Sequence, residues 1–167
     1  MTDLAEARDP VDYLQQTRDS YAALGYDSYR WAHNPEPSAF VAPTKPLSES
    51  TVAVIASGGI YASGQVAFHH KDDVTFRAIP SDTPADQLRI SHFAYDHADA
   101  RKDPNVVLPL EALRTMVTDG EIGSLSPHAL TFMGGIYSQR RLREELIPAL
   151  MEQLRAMAPD LVLLVPV

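Results

Sequence analysis

Three short runs of apolar residues constrain the fold of this chain more than any other feature of its sequence. They occupy residues 51–56, 129–133 and 161–165, and none of them alternates apolar with polar side chains. Such runs are typical of parallel strands that are buried on both faces, which requires helices between them. The sequence therefore predicts an α/β fold, a three-layer sandwich with a mostly parallel, Rossmann-like central sheet.

Helical patterns lie between these predicted strands. One helix is expected over about residues 110–118, with Pro109 in its first turn and Gly120 as its C-terminal stop. Another precedes the last strand, where leucines recur every four residues. Ser138 is expected to cap the start of that helix and Pro148 to kink it.

The first 50 residues differ in composition from the rest. Residues 10–24 have loosely helical spacing, and residues 34–50 are rich in Pro and Ser, which suits an extended segment. We therefore expect an N-terminal helix and Pro-rich arm over residues 1–50 and an α/β domain over residues 51–167, together forming one compact domain. Trp31 and the nearby tyrosines are expected to be packing groups.

Charge and composition exclude several classes of protein. A formal net charge of −8 argues against nucleic-acid or anionic-membrane binding, which needs an excess of Lys and Arg. No apolar run approaches the roughly 20 residues that span a bilayer, and the N-terminus lacks the pattern of a signal peptide. A cytoplasmic location is expected. The chain has no cysteine, so it contains neither a thiolate metal site nor a Cys nucleophile.

Glycine pairs follow two of the predicted strands and indicate where a ligand would bind. Ligands collect beyond the carboxyl ends of parallel strands, and glycine allows close approach of the backbone. The region between the first strand and the helix at 110–118 holds most of the polar candidates. The predicted substrate-binding residues are Ser57, Gly58, Gly59, Arg77, Arg89, His92, Gly134 and Gly135.

A dense polar cluster at residues 92–99 supplies the candidates for acid–base chemistry. Its side chains are candidates for substrate binding or proton transfer, while a hydrogen-bonded structural loop is the alternative. The His and Asp spacing also permits a metal, but it is not diagnostic and no metal is predicted.

The two arginines of this region have two open interpretations. Arg77 and Arg89 can form bidentate pairs with a substrate carboxylate. Ion pairing with Asp82 or Asp86 is an equally good interpretation.

An ordered set of phrases over residues 51–135 resembles the selenoprotein B family of glycine, sarcosine, betaine and D-proline reductases. No single phrase is decisive, but their order and spacing are specific. His92 and Tyr95 match the family's phrases, so the resemblance implies that these two residues are the candidate proton donors. The phrases include Ser57-Gly58-Gly59-Ile60-Tyr61, Phe76-Arg77-Ala78-Ile79-Pro80-Ser81-Asp82-Thr83-Pro84, Leu88-Arg89-Ile90-Ser91-His92, Asn105-Val106-Val107-Leu108-Pro109-Leu110 and Phe132-Met133-Gly134.

The resemblance implies a redox nucleophile at the position after Val167. In the family, a strand like residues 161–165 runs into a motif that begins with selenocysteine or cysteine. Selenocysteine is encoded by UGA, so translation without recoding would stop there, and the chain as given would be inactive.

The chemistry implied by the resemblance is reductive cleavage of a small amino-acid-like substrate, with a thiol/disulfide couple as the reductant. No bound cofactor is expected, and a pyruvoyl group would belong to a partner chain. A homo-oligomer or a partner subunit is compatible with the family. The alternative is a non-catalytic small-molecule-binding or scaffold protein that has lost the redox residue.

Overall fold

The computed structural model describes residues 12–30, 32–38 and 40–167. It divides into two compact units, Met1–Val41 and Ala42–Val167. Within the first unit, helix α1 covers Tyr13–Ala23, and the Asp12 carboxylate caps it by accepting the N–H of Gln15 at 3.0 Å. The predicted packing role of Trp31 lies outside the described residues, as does the part of the predicted first helix before residue 12.

The second unit is built from both strands and helices. Its strands are β1 (Thr51–Ala56), β2 (Ile60–Ala62), β3 (Phe76–Pro80), β4 (Leu88–Ile90), β5 (Ser124–Leu125), β6 (His128–Phe132) and β7 (Leu161–Val165). Its helices are α2 (Ala98–Lys102), α3 (Leu110–Thr118), α4 (Gln139–Arg141) and α5 (Ile147–Met157), with a π-helical turn at Leu142–Leu146 between the last two. Single 3₁₀ turns lie at Leu47–Glu49, Ala85–Gln87 and Pro104–Val106.

Strand β1 is the centre of a mixed, mostly parallel sheet. It pairs in parallel with β5, β6 and β7, while β3 pairs antiparallel with β6. A separate antiparallel pair is formed by β2 and β4. This arrangement confirms the predicted α/β class, whereas Rossmann-like connectivity stays a prediction.

The main sheet is covered on both faces by helices. Val52 and Val54 of β1 pack in one apolar cluster with Leu113 of α3. The intervening Ala53 packs in a second cluster with Leu150 of α5. Because successive side chains of a strand point to opposite faces, these clusters form the two interfaces of a three-layer sandwich.

The helix ends follow the predicted sequence signals. Helix α3 begins after Pro109, and Gly120 lies beyond its end with a φ of +76°. The Ser138 hydroxyl caps α4 by accepting the N–H of Arg141 at 3.3 Å. A π-helical turn precedes Pro148, so the helix widens where the proline lacks an N–H donor. No helix in the described segments is long and apolar enough to cross a bilayer.

The prediction that all three apolar strands are buried is wrong for β7. Val162, Leu163 and Leu164 are exposed, and Leu164 keeps 65% of its accessible surface. Within the described segments, β7 pairs only with β1 and is therefore an edge strand. An apolar run reports β propensity but does not reveal how many neighbours a strand has.

Candidate functional site

The two glycine pairs meet at the carboxyl ends of β1 and β6. The N–H of Gly134 donates to the Ser57 carbonyl at 2.9 Å, and the N–H of Gly59 donates to the Phe132 carbonyl at 3.0 Å. Gly58 forms an isolated antiparallel bridge with Met133. We call this place the strand-end site, which comprises Ser57, Gly58, Gly59, His92, Tyr95, Gly134 and Gly135.

The end of β7 reaches the same place. The Ser57 N–H donates to the Val165 carbonyl at 3.1 Å, and the Val167 N–H donates to the Ser57 hydroxyl oxygen at 2.9 Å. A methyl group built on Gly58 would lie 3.3 Å from the Val167 side chain. The Ser57 hydroxyl acts as an acceptor here, so its own proton stays available for donation.

Segment 91–97 is attached to this site through the first glycine pair. The Ser91 N–H donates to the Gly59 carbonyl at 2.9 Å, and the Tyr95 hydroxyl donates to the Gly58 carbonyl at 2.8 Å. Gly59 has a φ of +68°, and a Cβ atom there would overlap the Ser91 carbonyl. The close approach of segment 91–97 therefore requires glycine at this position.

His92 is buried at the edge of the site, with 9% of its surface exposed. Its Nδ1 accepts the Ala94 N–H at 3.0 Å, which leaves the ring proton on Nε2 in the neutral form. That Nε2 is enclosed and has no hydrogen-bond partner in the described segments. Burial lowers the pKa of His92, and the charge of His97 lowers it further. The neutral His92 thus holds a donor, the Nε2–H group, that is enclosed by the protein.

Tyr95 lies between two imidazoles. Its ring centroid is 4.8 Å from that of His92 and 4.8 Å from that of His97. Burial raises the pKa of Tyr95, against an opposing effect of Arg101. The hydroxyl therefore stays protonated near neutral pH and serves as a donor. No group of three or more His, Cys, Asp or Glu side chains in the described part of the chain is arranged to hold a metal ion.

Phe93 is a residue of this region that the sequence interpretation missed. Its ring stacks on His92 at 5.9 Å and on the exposed Tyr137 at 6.3 Å between centroids. A Cβ atom on Gly135 would overlap the Phe93 ring. The second glycine of the pair therefore makes room for an aromatic side chain, and the doubled glycine was the signal available in the sequence.

Arg77 and Arg89, the two arginines predicted to bind substrate, make their hydrogen bonds outside the strand-end site. Arg77 donates to the Val66 carbonyl at 2.7 Å, and its guanidinium lies 4.3 Å from the ring centroid of Phe68. Arg89 donates to the Asp86 carbonyl at 2.7 Å. None of the hydrogen bonds found for either arginine is to the strand-end site, and within the described segments neither pairs with a carboxylate. Their role in substrate binding stays a prediction.

Comparison with known families gives a match over most of the chain. Residues 34–165 match the glycine/sarcosine/betaine reductase selenoprotein B family. The chain belongs to this family. The match includes every residue of the strand-end site and ends at Val165, the last residue of β7.

Individual relatives are subunits of named reductases. The chain is 34% identical over 128 residues to the D-proline reductase subunit gamma of Acetoanaerobium sticklandii, covering 77% of this chain and 53% of the relative. It is 32% identical over 98 residues to the betaine reductase complex component B subunit beta of Peptoclostridium acidaminophilum, covering 56% of this chain and 22% of the relative. It is also 32% identical over 95 residues to the glycine reductase complex component B subunit gamma of Carboxydothermus hydrogenoformans, covering 54% and 22%.

The chain thus spans about half the length of the first of these relatives and a smaller share of the other two. No solved structure matches it.

Proposed function

We propose that this chain is a subunit of a reductase of the glycine and D-proline reductase type, and that the strand-end site takes part in cleaving a small amino-acid-like substrate. One observation carries the proposal: the ends of β1, β6 and β7 and the segment 91–97 meet at one place in a chain of the selenoprotein B family. Sites in open α/β sheets form at such strand ends.

The nucleophile of this proposal is a selenocysteine or cysteine that follows Val167. Such a residue would lie next to Ser57, because the Ser57 hydroxyl oxygen accepts the N–H of the preceding residue, Val167. A hydroxyl donor that faces an anion stabilises its ionised form, so Ser57, whose own proton is not committed to another acceptor, is suited to hold a selenolate or thiolate. His92 and Tyr95 are the candidate donors of the proton that the leaving group needs.

The proposed reaction needs two electrons from thiols. The selenolate forms a bond to the substrate carbon while the carbon–nitrogen bond breaks, and the amine leaves with the electron pair and takes up a proton. A first thiolate then attacks selenium, and the released carbon takes up a proton. A second thiol closes a disulfide and regenerates the selenolate. A pyruvoyl group, where one is used, is expected on a partner chain.

The test is to extend the chain after Val167 with Cys, or with selenocysteine through recoding, and to compare it with a matched Ser extension. The Cys-extended chain should be alkylated by iodoacetamide at the added residue. It should consume D-proline, glycine, sarcosine or betaine only in the presence of dithiothreitol. Equal behaviour of the Cys and Ser chains, without labelling at the added position, would overturn the proposal and favour a scaffold.

A further inference from the structure

A cationic pocket of about 530 Å³ lies between strand β4 and helix α2, and it contains none of the residues of the strand-end site. Arg89, Arg101 and Lys102 line it, and among the described residues Asp86 is the only acidic one that does so. The whole chain has the opposite balance, with 22 acidic against 14 basic residues. The residues that line this pocket therefore carry a net positive charge.

The positive charges of the pocket are weakly neutralised by the protein. Within the described segments, neither Arg89 nor Arg101 has a carboxylate within 4.0 Å. Lys102 contacts Asp99 at 3.1 Å, but both side chains are largely exposed. Exposed ion pairs of this kind contribute little to stability, so an incoming anion competes readily with Asp99 for Lys102.

The orientation of Arg89 is fixed by the backbone. Its Nη1 donates to the carbonyls of Asp86 at 2.7 Å and Leu88 at 2.8 Å. The other guanidinium nitrogens, Nε and Nη2, make no hydrogen bond in the described segments. A guanidinium held in this way loses little conformational entropy when it binds a planar anion.

The remaining walls of the pocket are mainly apolar. They include the buried Leu88 and Ala100, together with Tyr61 and Ile90. Cations beside apolar side chains suit a ligand with an anionic group on an apolar body. The volume lies in the range of about 300–1,000 Å³ that is typical of small-molecule sites.

We infer that this pocket binds a small organic carboxylate, with the carboxylate among Arg89, Arg101 and Lys102 and the apolar body against Leu88. The planar fork of arginine matches a carboxylate in two parallel hydrogen bonds. The inference does not depend on the redox function proposed above, because binding here involves neither the strand-end site nor a residue beyond Val167.

Isothermal titration of the full chain with benzoate tests this inference. Benzoate should bind saturably with one site per chain and more weakly as salt is added, and the uncharged benzamide should not bind. Arg101→Gln should weaken benzoate binding by roughly tenfold or more, since it removes a charge-assisted contact. Arg143→Gln changes the net charge equally at an exposed position outside the pocket, and it should leave the affinity unchanged.

Four results would overturn the inference. The first is no saturable benzoate binding at millimolar concentrations by a chain that unfolds cooperatively. The second is an equal loss of affinity in both variants, which would indicate a general charge effect. The third is binding of inorganic phosphate as tight as that of benzoate, which would indicate an anion site without an apolar subsite. The fourth is binding of an acidic peptide but not of benzoate, which would indicate a contact for a partner protein.

Discussion

Replacing Gly59 by alanine tests the junction between β1 and segment 91–97. Gly59 has a φ of +68°, and an alanine in the left-handed region costs about 1–2 kcal/mol. The added methyl group would also overlap the Ser91 carbonyl. Forcing atoms into a packed site costs about 1–3 kcal/mol more. The free energy of unfolding should therefore fall by about 2–5 kcal/mol, a large share of the usual 5–15 kcal/mol.

A second glycine provides the matched control for this change. Gly120 has a φ of +76°, but a methyl group built there has nothing within 4 Å. Gly120→Ala should thus cost only the backbone part, about 1–2 kcal/mol. Urea unfolding of both variants and the parent, followed by circular dichroism, gives the two losses. Equal losses would refute the close approach of Ser91 to Gly59.

Two further changes test the donors of the site. Burial and the charge of His97 lower the pKa of His92 in the folded state. The stability that the neutral ring provides is therefore complete above the pKa of the unfolded state, about 6.5, and it is lost as the pH falls through the lower pKa of the folded state. In His92→Gln, the free energy of unfolding measured in urea should fall less steeply with decreasing pH between about pH 7.5 and 5. The same pH dependence in the variant and the parent would contradict the burial of a neutral ring. Tyr95→Phe leaves the Gly58 carbonyl without its donor and should cost about 1 kcal/mol. Tyr137→Phe alters an exposed ring and should change the free energy of unfolding by no more than about 0.5 kcal/mol. Equal losses of stability in Tyr95→Phe and Tyr137→Phe would exclude a stabilising Tyr95 hydrogen bond.

The glycine pairs were the most informative part of the sequence. A glycine after a strand indicates that other atoms come close to the backbone, and both Gly59 and Gly134 have such neighbours. The identity of the neighbour could not be predicted, because contacts with Ser91 and Ser57 depend on the folding of distant segments. The helix ends were predictable for the opposite reason, since the Ser138 cap acts on a residue three positions away.

Long polar side chains and edge strands were the hardest features to predict. Arg77 and Arg89 can pair with a carboxylate or with backbone carbonyls, and the amino-acid sequence does not distinguish these partners. The burial of the His92 Nε2 likewise results from packing around the ring. The exposure of β7 depends on the number of neighbouring strands, which a local apolar pattern does not contain.

The central claim is that the end of β7 presents a nucleophile to the Ser57 hydroxyl at the strand-end site. The most direct measurement is the pH dependence of iodoacetamide alkylation for a single Cys added after Val167, since the chain has no other cysteine. A hydrogen bond from Ser57 should lower the thiol pKa below that of Cys at the exposed position Val66→Cys, and Ser57→Ala should remove the difference. A pKa at or above that of the exposed Cys, unchanged by Ser57→Ala, would contradict the claim.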